Sequence, residues 1–128
     1  MSELDADWIV PDWPCPFPVH ALVTTRSGGV SVGPYCSMNL GDAVGDQLVN
    51  VAQNRQRLAK YLPSAPRWLC QVHGSDVVAA EQVSGTVEAD ASYSTTIDTV
   101  CVVGIADCLP VLMCDRNARV VAAAHAGW

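Results

Sequence analysis

The amino-acid sequence predicts an α+β fold, on three observations. Only one segment keeps a helical period. Everything after Pro66 breaks into short apolar runs, and the first forty residues are rich in Pro, Gly and aromatic residues with no sustained period. The chain has 128 residues, 50% of them apolar and 16% charged, so it can bury a core of its own and lies outside the composition of a disordered tail. With no internal repeat, low-complexity tract or clear boundary, a single domain over residues 1–128 is the expectation.

The elements follow in chain order. Pro11, Trp13, Pro14, Pro16 and Pro18 make residues 1–20 read as an extended arm packed by its aromatic rings. Residues 21–25 form a short β-prone run that Ser27-Gly28-Gly29 interrupts, and a second loop follows around residues 33–36. The helix is expected over residues 47–61. There Leu48, Val51, Ala52, Leu58, Ala59 and Leu62 recur at steps of three and four, with Arg55 at the edge of the stripe and Pro63 closing it. Residues 68–72 and 77–79 read as strands separated by His73-Gly74-Ser75, and residues 91–94 as a short one. Residues 100–105, 111–114 and 120–124 are nearly continuous apolar runs, the pattern of strands buried on both faces. Asp115-Arg116-Asn117 is a turn that makes the last two an antiparallel hairpin. The final run ends near Trp128 and is expected to present an edge. Either self-association with a second chain or residues beyond 128 would cover it.

Charge and hydropathy narrow the partners. Seven Lys and Arg against thirteen Asp and Glu give a net charge of −6, which repels phosphate backbones and anionic lipid and argues against nucleic acid. No apolar run reaches the ~20 residues of a membrane helix, and the acidic start lacks a signal-peptide pattern. The expected location is cytoplasmic. Six cysteines in 128 residues are too few for a disulfide scaffold and read as reduced thiols. Cys70, Cys101 and Cys114 sit in apolar runs as small core residues, Cys15 and Cys36 lie in loops, and no CxxC occurs.

The chemistry-bearing residues are few. His73 follows a strand-like run and precedes Gly74, Cys108 stands at a strand end after Asp107, and His125 follows small apolar residues. Two imidazoles and a thiolate converging from strand ends suit zinc with an open fourth position. Each residue also has a plain reading, a hydrogen-bonded loop histidine or a core cysteine, and their wide separation carries little metal information by itself. Copper also takes His2Cys sites, but Met113 is the nearest axial candidate and no tight Cys–His–Met cluster occurs. Arg26, Ser27, Gly28 and Gly29 form a polar turn suited to an oxyanion such as phosphate, although for this segment taken alone an ordinary turn with a surface Arg is the favoured reading. Asn39, in Ser37-Met38-Asn39-Leu40-Gly41-Asp42, belongs to a similar candidate site loop, and Asp107 could orient a ligand.

Six motifs then occur in order: Thr-Thr-Arg-Ser-Gly-Gly-Val-Ser (24–31), Ser-Met-Asn-Leu-Gly (37–41), Gln-Val-His-Gly (71–74), Ala-Asp-Ala-Ser-Tyr (89–93), Ala-Asp-Cys-Leu-Pro-Val-Leu (106–112) and Ala-His-Ala-Gly-Trp (124–128). Together they resemble the YfiH-type laccase-domain family, also described as purine nucleoside phosphorylases of the peptidoglycan-editing type. The resemblance runs from about Ile9 onward. It implies a layered α/β/β/α sandwich related to the cytotoxic-necrotizing-factor type. It also implies a cytoplasmic zinc enzyme in which His73, Cys108 and His125 form the metal and catalytic set. The implied activities are phosphorolysis of adenosine, inosine, guanosine and methylthioadenosine, deamination of adenosine, and a part in editing peptidoglycan precursors; copper-dependent polyphenol oxidation is an earlier label. In the family the last motif continues into Arg-Gly and as much chain again, so this chain is expected to correspond to an N-terminal half. Two other readings stay open: a metal-free hydrolase with Cys108 as nucleophile activated by His73 or His125, and a metal-binding or assembly module that is inactive without the rest of the fold.

Overall fold

A computed structural model describes residues 6–127. The acidic start and Trp128, the last residue of the Ala-His-Ala-Gly-Trp motif, lie outside the described residues. The fold is α+β, as expected. The backbone gathers into two compact units. Among the described residues, one is formed by 6–13 with 21–62, the other by 14–20 with 63–127.

The first unit holds the helix α1, Leu48–Ala59. Its buried face is Val51, Asn54 and Leu58, spaced three and four apart. This corrects the expected stripe: Ala52 and Leu48 are exposed, and a polar residue occupies the middle of the buried face. Asn54 is fully buried because the loops need it there. Its Oδ1 accepts the Val30 N–H, and its Nδ2 donates to Ser31 Oγ, Ser37 O and Asn39 O. Arg55 sits at the edge as expected, donating from Nε to Leu40 O at 2.9 Å. Trp8 fills the apolar side, edge-on to Tyr61 with ring centroids 5.3 Å apart, and donates from Nε1 to Ser27 O. The β-prone run contributes one bridge, Ile9 with Val23.

The second unit is built on strands. β1 (Pro66–Arg67) pairs in parallel with β4 (Val100–Cys101). A four-stranded mixed sheet runs in the order β2 (Val77–Ala79), β3 (Ala91–Ser94), β6 (Val121–Ala126), β5 (Leu109–Cys114). β2 is parallel to β3, while β3 and β5 are antiparallel to β6. The expected hairpin is present. Asp115 Oδ1 accepts the N–H groups of Arg119 and Val120, and the Asp115 N–H donates to Val120 O. Pro110 is tolerated because β5 is an edge strand, where a missing backbone donor costs least.

Three expectations are corrected here. Residues 68–72 form no strand beyond the single Cys70–Glu88 bridge, and of 100–105 only Val100–Cys101 is one. Beyond the two-residue β1–β4 ladder, the Gln71 side-chain amide donates to Gly104 O at 2.8 Å and accepts the Gly104 N–H at 2.7 Å, standing in for a rung of backbone pairing. β5 is not buried on both faces: Leu109 and Met113 stay 64% and 45% exposed, because an antiparallel edge strand needs only one covered face, while the central strand β6 has no exposed residue. The last strand presents no free edge, since β6 lies between β3 and β5; the edges of the sheet are β2 and β5.

The thiols divide in a similar way. All six cysteines are free. Cys101 and Cys114 are half-buried, and burial pushes the Cys101 thiol up from its ordinary value, with Ser92 pulling the other way. Cys70 is exposed, against expectation, because its stretch of chain makes a single bridge to Glu88 and not a covered strand. In the arm, Phe17 is 92% exposed while Trp8 is buried, so aromatic packing holds for part of it only.

Candidate metal centre

Register places the three donors. β3 and β6 pair Ala91 with Ala124, and the next step of that register sets Asp90 across from His125, whose N–H donates to Asp90 O at 2.7 Å. Ala123 and His125 are buried two residues apart, on one face of the strand. A slip of one residue would turn His125 to the other face. On its other side β6 pairs Ala126 with Leu109, which brings Cys108, just before β5, alongside Gly127. His73 arrives from the turn between residue 72 and β2, with φ at +58°.

The three side chains meet. The candidate ligand atoms of His73, Cys108 and His125 lie within 4.8 Å of one another, and Cys108 Sγ is 3.8 Å from His73 Nε2. The two imidazoles stand edge-on with centroids 4.7 Å apart. Zinc–nitrogen and zinc–sulfur bonds near 2.0 and 2.3 Å put tetrahedral neighbours about 3.5 Å apart, so the donor set fits that ion in kind and in spacing. His73 is exposed, Cys108 half-buried and His125 buried, which gives the cluster an open side. Among the described residues, this is the one group of three or more His, Cys, Asp or Glu side chains placed to hold a metal.

The residue missed in the sequence is Asp90. It is 2% exposed and accepts four hydrogen bonds. Oδ1 takes the N–H groups of Val72 and Gly74 at 3.0 and 2.9 Å; Oδ2 takes the His73 N–H at 2.9 Å and faces His125 Nδ1 at 2.7 Å. Burial pushes its carboxyl up, but the donors from Gly74, Val72, His125 and His73 outweigh burial and hold it at about 2. A carboxylate only accepts, so the Nδ1 of His125 carries the proton and Nε2 is left with its lone pair free for a ligand. Asp107, read as the orienting carboxylate, is exposed and shares no hydrogen bond with the three donors among the described residues. It lies in the turn before β5, where it follows the chain into solvent.

The remaining expected residues belong to the first unit. The N–H groups of Ser27, Gly29, Val30 and Ser31 all donate inside that unit, to Thr25 Oγ1, Ser37 Oγ, Asn54 Oδ1 and Ser37 O. Gly29 packs tightly: a Cβ there would stand 2.2 Å from Ser37 O and 2.6 Å from Asn54 Oδ1. Ser27 Oγ donates to Asp7 Oδ1, and Asn39 bonds Gly41 and Asp46. Gly28 has φ at +99° and carries the turn. Arg26 is exposed and reaches Cys36 O at 3.5 Å from Nη2, so its guanidinium is the group of this loop most open to an anion.

Fold and donor set define an α+β protein whose sheet ends present two imidazoles and one thiolate. Comparison with known proteins makes this specific. The chain belongs to the family described as multi-copper polyphenol oxidoreductase laccase, whose model matches residues 20–128. It is 55% identical to the purine nucleoside phosphorylase YfiH of Escherichia coli over 131 residues, covering 100% of this chain and 52% of that protein. A purine nucleoside phosphorylase of Pseudomonas aeruginosa is 53% identical, covering 94% of this chain and 50% of that protein. Among solved structures, a Neisseria meningitidis DUF152 protein superimposes with a TM-score of 0.91 at 48% identity, covering 96% of this chain and 51% of its own. YlmD from Geobacillus stearothermophilus gives 0.84 at 33% identity, covering 99% and 52%. The chain spans about half the length of the curated relatives it matches. Among the described residues, no helix is long and apolar enough to cross a membrane.

Proposed function

We propose that the chain supplies the metal centre of a purine nucleoside phosphorylase, with zinc held by His73 Nε2, Cys108 Sγ and His125 Nε2. The observation that carries this reading is the convergence of three such donors within 4.8 Å, in a chain whose relatives bear that enzyme's name. Thiolate with two imidazoles favours zinc, and copper is the second choice. Bound there, zinc supplies Lewis-acid polarisation and activates water at neutral pH. In phosphorolysis the C1′–N9 bond of the nucleoside breaks, a phosphate oxygen bonds to C1′, and the purine nitrogen takes up a proton. Arg26 is proposed to bind phosphate through its guanidinium, with Ser27, Gly28, Gly29 and Asn39 shaping the loop that carries it. His125 holds its Nδ1 proton against Asp90 throughout, so that Nε2 remains a ligand.

Plasma mass spectrometry tests the centre. About one zinc per chain is expected in the purified protein and none in Cys108→Ala. Incubation with inosine and phosphate should yield hypoxanthine and ribose 1-phosphate, and undiminished turnover in Cys108→Ala overturns the proposal. Adenosine in the same assay separates phosphorolysis, which releases adenine, from deamination, which releases inosine and ammonia.

The 3.8 Å approach of Cys108 Sγ to His73 Nε2 favours one second reading, a thiol hydrolase in which His73 draws the proton from Cys108. Turnover that survives chelators and is destroyed by iodoacetamide would select it.

A further inference from the structure

We infer that Asp90 is the positioning residue of this centre: one buried carboxylate sets both the proton of His125 and the backbone of His73, so the two imidazoles are aimed before an ion arrives. The inference rests on the metal-centre reading for its affinity test alone.

Both carboxylate oxygens are engaged, Oδ1 by Val72 and Gly74 and Oδ2 by His73 and His125. With every acceptor direction facing a donor and 2% of the residue exposed, Asp90 has no lone pair to offer an ion, and it acts through the ligands. Three consecutive N–H groups turned onto one anion form a nest, a backbone shape that needs a negative charge at its focus. That nest is the turn carrying His73 at φ +58°, a conformation L-residues adopt at a cost. The same oxygen that accepts the His73 N–H faces His125 Nδ1, so the two histidines share a single anchor atom. Backbone pairing adds a second tie, from the His125 N–H to the Asp90 carbonyl.

The isosteric Asp90→Asn variant cannot reproduce this. With its oxygen toward Val72 and Gly74, its amide hydrogens meet the His73 N–H and turn His125 Nδ1 into an acceptor, moving the imidazole proton to Nε2. With the amide flipped, the Val72 and Gly74 N–H groups lose their acceptor and the turn loosens. Either outcome misplaces a ligand.

The experiment has two readouts. Long-range proton–nitrogen correlation spectra of the metal-free protein report the tautomer of His125. Nδ1–H is expected in the wild type; in Asp90→Asn a shift toward Nε2–H marks the first amide orientation and a retained Nδ1–H the flipped one, and both predict the loss of affinity below. Zinc competition against a chromogenic chelator should show about 10–100-fold weaker binding in Asp90→Asn, with a weakened thiolate-to-metal absorption band on cobalt substitution. Asp107→Asn should bind within about twofold of wild type, as exposed substitutions do. A wild-type His125 in the Nε2–H form overturns the inference, as does an Asp90→Asn protein that binds zinc like wild type. A loss in Asp107→Asn equal to that in Asp90→Asn transfers the role to Asp107 and overturns it too. If wild type binds no zinc or cobalt, the metal-centre reading falls, and the tautomer alone decides the positioning role. If Asp90→Asn does not fold, the wild-type tautomer decides.

Discussion

Asn54 in the first unit and Asp90 in the second are the same device with different outcomes. Each is a fully buried polar side chain that gathers loop backbone around itself. Asn54 is neutral and both donates and accepts, and the groups it meets are loop backbone and a serine hydroxyl, none of them a chemically active atom. Asp90 only accepts, and one of its donors is an imidazole whose second nitrogen then points elsewhere with a lone pair. A neutral hub closes a fold upon itself; a charged hub that includes a histidine passes its order on to a chemically active atom.

Substitutions can break or sharpen this contrast. The largest effect is expected for Asp90→Ala, which leaves the N–H groups of Val72, His73 and Gly74 and the Nδ1–H of His125 without an acceptor. A loss of about 3–5 kcal/mol in urea unfolding is expected. Asn54→Ala should cost less, about 2–4 kcal/mol, because Ser31 Oγ keeps Asp46 as a partner and Ser37 O keeps the Ser31 N–H. Zinc affinity then separates the hubs, falling with the first variant and holding in the folded fraction of the second. Equal losses of metal binding would erase the distinction.

Gly29→Ala probes the neutral hub from its other side. The new methyl would strike backbone at Ser37 O and Met38 Cα, which cannot swing away, and about 3 kcal/mol is expected from the same unfolding measurement.

The smallest effect is a pH dependence from a third carboxylate. The Ser94 hydroxyl holds Glu81 down at about 2, against an opposing push from burial, with Thr96 and Thr95 adding smaller help. Its folded value lies below its unfolded 4.5, so the stability it adds is complete above about pH 4.5 and disappears as pH falls through about 2. Glu81→Gln should flatten the stability curve across that window, by well under the losses above because the site is solvent-screened. An unchanged slope would remove Glu81 from the acid response.

Local pattern carried the helix and the hairpin, because a three-to-four step and a turn flanked by apolar runs are encoded within a few neighbours. His73, Cys108 and His125 were legible as ligand types at strand ends, and the ordered motifs tied them together. Asp90 was not. It lies 17 residues from His73 and 35 from His125, so nothing near it in sequence betrays its partners. An acidic residue set between alanines before a β-prone run was its one local sign. Asn54 was hidden in the opposite way, as a polar break in an apolar stripe whose reason sits in distant loops. The shortened runs at 68–72 and 100–105 show a further limit: apolar character predicts burial, while pairing depends on what stands opposite, and there an amide side chain replaces backbone.

At position 73 the main chain and the side chain ask for different amino acids. A left-handed backbone at φ +58° suits glycine, and holding a larger residue there costs about 1–3 kcal/mol. Histidine sits there all the same, beside Gly74, which could have taken the bend had the turn been shifted by one. Selection for durability alone would favour the His73→Gly chain, which should resist denaturant as well as the natural one or better while losing one donor of the candidate metal centre. The choice of imidazole over ease marks this turn as a place where the molecule trades robustness for reactivity.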